Sequence, residues 1–136
     1  MSEIKTHIVE TPHFSVERMS FRKIKSYKMR VGIVIKTDEK IENFEDLINK
    51  VDKVILMGTK LGVKGKEFEK KILIEIEKLK SYIRKINKSN IAIEVDGGIR
   101  EYSVPLVVNA GADSVVAGSL IFNEEYKKIS KWIHSL

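Results

Sequence analysis

The feature that most restricts the fold of this chain is a repeated alternation of short β-branched, apolar runs with longer stretches whose apolar residues recur at helical spacing. The runs are Thr6–Glu10 (THIVE), Val31–Lys36 (VGIVIK), Lys53–Gly58 (KVILMG), Ile91–Asp96 (IAIEVD) and Ser114–Gly118 (SVVAG). Nearly continuous apolar character marks strands covered on both faces, as in a parallel sheet. Strand and helix in alternation then give βα units with right-handed crossovers, helices outside and the sheet within. Two α/β architectures satisfy the pattern: a partial (β/α)8 (TIM) barrel of about five βα units, or an open flavodoxin-like sheet. A complete barrel needs roughly 250 residues. The chain has 136 and is read as a single domain over residues 1–136, because no linker or low-complexity stretch divides it.

The intervening segments carry helix signals. Asn43 is expected to cap a segment in which Phe44, Leu47, Ile48 and Val51 share one face. Phe68, Ile72, Ile76, Leu79, Ile83 and Ile86 extend the same spacing over the longest helix. Ser15 and Asn123 are candidate caps for the first and last helices, with Tyr126, Ile129, Ile133 and Leu136 as the buried stripe of the last. Pro105 fits the first turn of a short helix, and Asn109-Ala110-Gly111 reads as that helix's end, with glycine at the left-handed position.

Composition narrows the function. Without cysteine there are no disulfides, thiolate metal sites or thiol nucleophiles, and the chain folds by its core alone. The net charge of +6 is spread over helical segments in which lysine and glutamate alternate. Mixed signs of this kind read as solvated faces, and no basic stripe interleaved with aromatics points to nucleic acid. A small anionic ligand suits the surplus better. No apolar run reaches the ~18 residues of a membrane span, and the start, MSEIKTHIVE, carries no signal-peptide core, so a cytoplasmic location is expected.

Ligands of parallel α/β folds gather at the C-terminal ends of the strands. Here those ends are rich in glycine: Gly58-Thr59-Lys60-Leu61-Gly62-Val63-Lys64-Gly65 after the third run, Asp96-Gly97-Gly98 after the fourth and Gly118-Ser119 after the fifth. Glycine lets backbone approach an anion closely, and the loops together suggest a phosphate cradle, with Lys60, Lys64 and Lys66 adding positive charge. Taken singly, each of these loops reads first as a simple strand end, and it is the three together that point to a ligand. Asp96 is the carboxylate placed at a strand end beside a glycine pair. It is a candidate helix cap, metal ligand or acid/base. Glu94, two residues earlier, points to the same side of its strand and requires a polar partner. His7, His13 and His134 have no metal-ligand spacing and read as structural.

These residues carry a family resemblance. VDKVILMGTKLGVKGKEF, IAIEVDGGI and NAGADSVVAGSLIF resemble the last three βα units of the ribulose-phosphate 3-epimerase family of phosphate-binding barrels. VETPHFS resembles the end of that family's fourth strand, and MRVGIVIKTDEKIENFEDLINKVD its fifth strand and helix, so the likeness reaches nearly the whole chain. The resemblance implies epimerisation at C3 of a ketopentose phosphate through an enediolate held on a divalent metal, with two aspartates as base and acid. Asp96 matches the aspartate of the VDGG motif, implied to be both metal ligand and proton donor. Gly62, Val63, Lys64 and Gly65 match the substrate loop, and Gly97, Gly98, Gly118 and Ser119 the phosphate-side contacts.

The family usually reads Asn-Pro-Gly-Phe-Gly-Gly-Gln where this chain reads Lys60-Leu61-Gly62-Val63-Lys64-Gly65-Lys66, so a lysine stands in place of one glycine. The likeness begins near the family's fourth strand. The other aspartate and both metal-binding histidines belong to the first three units, so these 136 residues alone are expected to be inactive. The reading is therefore the C-terminal portion of a sugar-phosphate epimerase. The alternative is a non-catalytic phosphosugar-binding or regulatory module, and another phosphate-barrel activity ranks third. A barrel piece of this kind is expected to form a homo-oligomer or to be completed by the missing N-terminal half.

Overall fold

The computed structural model of the protein describes residues 6–10, 18–60, 62, 67–123 and 126–136. Strands β1 (Thr6–Glu10), β2 (Arg30–Ile35), β3 (Lys53–Met57), β4 (Ala92–Asp96) and β5 (Ser114–Val116) form one sheet in the order β1-β2-β3-β4-β5. Every neighbouring pair is parallel. Helices α1 (Arg18–Ser26), α2 (Glu45–Ile48), α3 (Ile72–Lys85), α4 (Val104–Ala110), α5 (Gly118–Asn123) and α6 (Tyr126–Ile133) alternate with the strands, and a 3-10 turn, Ile41–Phe44, leads into α2. The result is the open α/β sheet that the alternation implies. Strands in strict sequence order are laid down as in consecutive barrel units, whereas a flavodoxin-type sheet reverses after its first crossover, giving 2-1-3-4-5.

Sequential right-handed crossovers send every helix to one side of the sheet, and the core records this. Val31, Ile33 and Ile35 of β2, Val54 and Leu56 of β3, and Ile93 and Val95 of β4 are fully buried. They share one apolar cluster with Phe21, Ile48, Ile72, Ile76, Leu79, Ile83, Val104, Val107, Leu120 and Ile129 from the helices. Truncating one such isoleucine to alanine typically costs about 2–5 kcal/mol.

The alternate residues point to the other face. The register aligns Val34, Ile55, Glu94 and Ser114 in one row, and Met57, Asp96 and Val116 in the row at the C-terminal ends. Val34 and Ile55 are buried yet stand outside the helix-side cluster. Among the described side chains of β2–β5, only this face carries charge. Lys53 Nζ lies 2.9 Å from Glu94 Oε2, and Ser114 Oγ donates to the same oxygen at 2.9 Å. The polar partner that Glu94 requires is therefore this pair.

Helix boundaries depart from the sequence reading in three places. Asn43 is not a cap, because the chain enters as a 3-10 turn and α2 begins only at Glu45 after Phe44. The Ile41 N–H that opens this turn donates to Glu75 of α3 at 3.0 Å, a tertiary partner invisible in local sequence. Asn123 closes α5 instead of opening the last helix. In α6 Ile129 is buried, but Tyr126 and Leu136 are 59% and 52% exposed, so the expected stripe is buried only near its middle. Ser15 lies outside the described residues. Gly111 ends α4 at φ 110°, as expected, and Pro105 sits in that helix's first turn.

Two aspartates at the opposite end of the sheet hold it together. Asp52, just before β3, accepts from the Val31 N–H at 2.8 Å, and its own N–H donates to Val31 O at 2.7 Å. Asp113, just before β5, does the same to Ile93 of β4, at 2.8 Å for both bonds. Each carboxylate satisfies a backbone donor at a strand start and ties adjacent strands. Lys80 Nζ adds an ion pair to Asp113 at 2.8 Å. Hydrogen bonds to charged groups contribute about 1.5–3 kcal/mol, so Asp52→Ala and Asp113→Ala are each expected to lower stability by about 1–2 kcal/mol in urea titrations. An unchanged midpoint in either variant would contradict this role.

Candidate functional site

The strand ends opposite those aspartates form the candidate site. Here β3 and β4 are pressed together: the Gly58 N–H donates to Asp96 O at 2.6 Å, and a Cβ on Gly58 would stand 2.2 Å from Gly97 O. Gly97, at φ +97°, leaves no room beside Thr59 Oγ1, and Gly98, at φ +67°, none beside the Phe68 backbone. These glycines are required by packing whether or not a ligand is present. Phe68, which the helical spacing placed in the longest helix, precedes it and seals this junction, with Glu69 N donating to Gly58 O at 2.8 Å.

The turn after β4 is fixed by Ser103, fully buried at the head of α4. Its Oγ donates to Gly98 O at 3.0 Å and accepts from the Arg100 N–H at 2.8 Å. Held in this way, Arg100 folds across to the next strand end. Its Nη1 donates to Ile99 O at 2.8 Å and to Ser119 Oγ at 2.6 Å. A single guanidinium thus joins the Gly97-Gly98 turn to Gly118-Ser119. Gly118 differs from the other strand-end glycines, since a Cβ built on it meets no atom within 4 Å among the described residues and it needs no positive φ.

Asp96 ends β4 on the face that carries Glu94. It is no helix cap, because α4 starts at Val104 behind Ser103. Burial, and then the negative charge of Glu94, push its carboxyl above the ordinary aspartate range, opposed by the Gly97 N–H. The raised affinity for a proton suits an acid/base group.

Of the remaining expected site residues, Gly62 is exposed at φ +81°, while Val63, Lys64 and Gly65 lie outside the described residues, as does His13. His134 is exposed, its Nδ1 2.7 Å from Ser130 O. Among the described residues no three His, Cys, Asp or Glu side chains stand close enough to hold a metal ion. Asp96 has Glu94 beside it on the same face, but Glu94 is engaged by Lys53 and Ser114. A divalent metal does not fit this set by itself, as a catalytic site usually has about three protein ligands. No helix among the described residues is long and apolar enough to cross a membrane.

The sequence reading missed Arg100 and Ser103. The one available signal was their spacing, a serine three residues after the arginine just ahead of an apolar helical run.

A five-stranded parallel sheet in sequence order, with glycine-rich turns and Asp96 at its C-terminal ends, defines an open α/β protein laid out like part of a (β/α)8 barrel. Comparison with known sequences makes this particular: the profile of the ribulose-phosphate 3 epimerase family matches residues 2–122, and the chain belongs to that family. The chain is 29% identical over 125 residues to ribulose-phosphate 3-epimerase of Bacillus subtilis, covering 92% of this chain and 56% of that protein. The epimerase of Aquifex aeolicus is 34% identical over 119 residues, covering 88% and 52%. That of Escherichia coli K12 is 33% identical over 109 residues, covering 78% and 47%. The chain therefore spans about half the length of the curated relatives it matches.

The pKa direction at Asp96 has a consequence for stability. A carboxyl whose pKa is raised by folding binds its proton more tightly in the native state, so stability is lost as pH rises from the unfolded pKa through the folded one. Asp96→Asn is expected to unfold at the same or a higher urea concentration than the wild type at pH 7. The gap should close as the pH falls well below the ordinary aspartate value of 3.8, where the wild-type carboxyl becomes protonated in both states. A clear loss of stability at pH 7 would give Asp96 a structural role.

Proposed function

We propose that this chain forms the phosphate-binding and proton-transferring half of a ribulose-phosphate 3-epimerase site. The observation that carries the proposal is Asp96. It is a half-buried carboxyl with raised proton affinity and no capping duty, next to the turn that Arg100 ties to Gly118-Ser119. In this reading the phosphate of a ketopentose phosphate lies against the backbone N–H groups of Gly97, Gly98, Gly118 and Ser119. The sugar then extends over the face bearing Asp96, whose carboxyl exchanges a proton with C3. Epimerisation takes a proton from one side of C3 and returns one to the other, so it needs a second acid/base on the opposite side of the sugar. The relatives are about twice as long as the matched region, and that group, together with ligands completing a divalent metal site at Asp96, falls to residues beyond those described. A homo-oligomer or a segment carrying further βα units would supply them. The same geometry without a second acid/base would make a phosphosugar-binding module, which is the alternative outcome.

Calorimetry with D-ribulose 5-phosphate, joined to NMR detection of deuterium entering C3 in D2O, tests the proposal. The wild type should bind the phosphate ester and not the free sugar. Gly118→Val, whose side chain occupies space the fold leaves open, should weaken binding at least tenfold with its urea midpoint retained. Asp96→Asn should bind and show no C3 exchange under any condition in which the wild type exchanges. Binding of the free sugar as tightly as its phosphate, or exchange by the Asn variant, would overturn the proposal.

A further inference from the structure

Arg100 has more hydrogen-bonding capacity than its partners use. A guanidinium presents five N–H donors in a planar fork, and here only Nη1 has partners among the described residues, Ile99 O and Ser119 Oγ. The ion pairs seen among the described residues are all made by lysines, and none of them includes Arg100. Its backbone is locked by fully buried Ser103, so the side chain starts from a fixed point. Ser119 accepts from Arg100 and thereby keeps its own hydroxyl proton free to donate, next in sequence to Gly118, where an added Cβ would meet no atom within 4 Å among the described residues.

We propose that Arg100 and Ser119 form a charge-reading clamp for the phosphate group, with the guanidinium as counter-charge and the polarised hydroxyl as directional donor. The inference rests on the phosphate placement given above and adds to it the residue that selects a charged ester over a neutral sugar. Lys64, the counter-charge expected from sequence, is not needed for this. Arginine at this position gives a two-point contact on phosphate oxygens that a lysine does not reproduce.

The test is calorimetric titration of inorganic phosphate and of D-ribulose 5-phosphate, at low and at 0.5 M sodium chloride, with amide NMR spectra confirming that each variant is folded. Arg100→Gln is expected to weaken binding of both on the order of tenfold to a hundredfold and to flatten the salt dependence, which a merely structural residue would not do. Arg100→Lys should keep the salt dependence while losing part of the affinity. It also serves as the folded control should the Gln variant unfold. Ser119→Ala should weaken binding less than Arg100→Gln and leave the salt dependence in place. If Gly118→Val abolishes binding while Arg100→Gln binds like the wild type with the same salt dependence, the clamp is wrong and the phosphate placement stands. If the wild type binds neither ligand, the placement fails and the clamp with it.

Discussion

The Lys53–Glu94 ion pair, with Ser114 on the same carboxylate oxygen, is the interaction on which the polar face of the sheet depends. Parallel pairing keeps aligned residues on a common face, so one face of the sheet is free to be wholly apolar while the other tolerates polar groups. Helices cover the first and provide the folding energy. On the second, Lys53 and Ser114 both engage Glu94 Oε2, and removing one partner of a part-buried pair leaves the other group uncompensated. Burial first, and then the negative charge of Glu94 two residues away, raise the proton affinity of Asp96. A structural ion pair in the middle of the sheet thus tunes the group at its end.

The two ends of the strands divide the remaining tasks. At the N-terminal end Asp52 and Asp113 make equivalent clamps one strand pair apart, each matching a carboxylate to a backbone donor of the preceding strand. At the C-terminal end the chain uses glycine for two different reasons. Gly58, Gly97 and Gly98 let three backbone segments meet at distances no Cβ permits. Gly118 has no such constraint, since a Cβ there would meet no atom within 4 Å among the described residues. This contrast, more than the number of glycines, separates the strand ends closed by packing from the one that is left open.

Much of the fold was legible in sequence. Each strand fell within about a residue or two of its expected limits because apolar runs buried by a parallel sheet leave an unbroken pattern. The end of α4 was legible from Gly111, and the inward direction of Glu94 from its spacing to Asp96. Other features depended on partners far along the chain. Asn43 failed as a cap because Glu75 satisfies the turn instead, and Phe68 kept helical spacing while packing as a wedge against Gly58 and Gly98. In the candidate site, Asp96 and the glycines were singled out from motif and resemblance. Arg100 did not, since an exposed-looking charge in a turn gives no sign that Ser103 fixes its backbone or that Ser119 lies one strand away.

The central claim is that a phosphate is held where the turns after β4 and β5 meet. Mapping the backbone amides by two-dimensional NMR during titration with D-ribulose 5-phosphate tests it most directly. The largest shifts are expected at Gly97, Gly98, Gly118 and Ser119, with Arg100 following and the Asp52 and Asp113 clamps unmoved. Shifts centred instead on the apolar groove that Val108, Ile121, Ile129 and Ile133 line between α4, α5 and α6, or spread evenly over the surface lysines, would contradict the account.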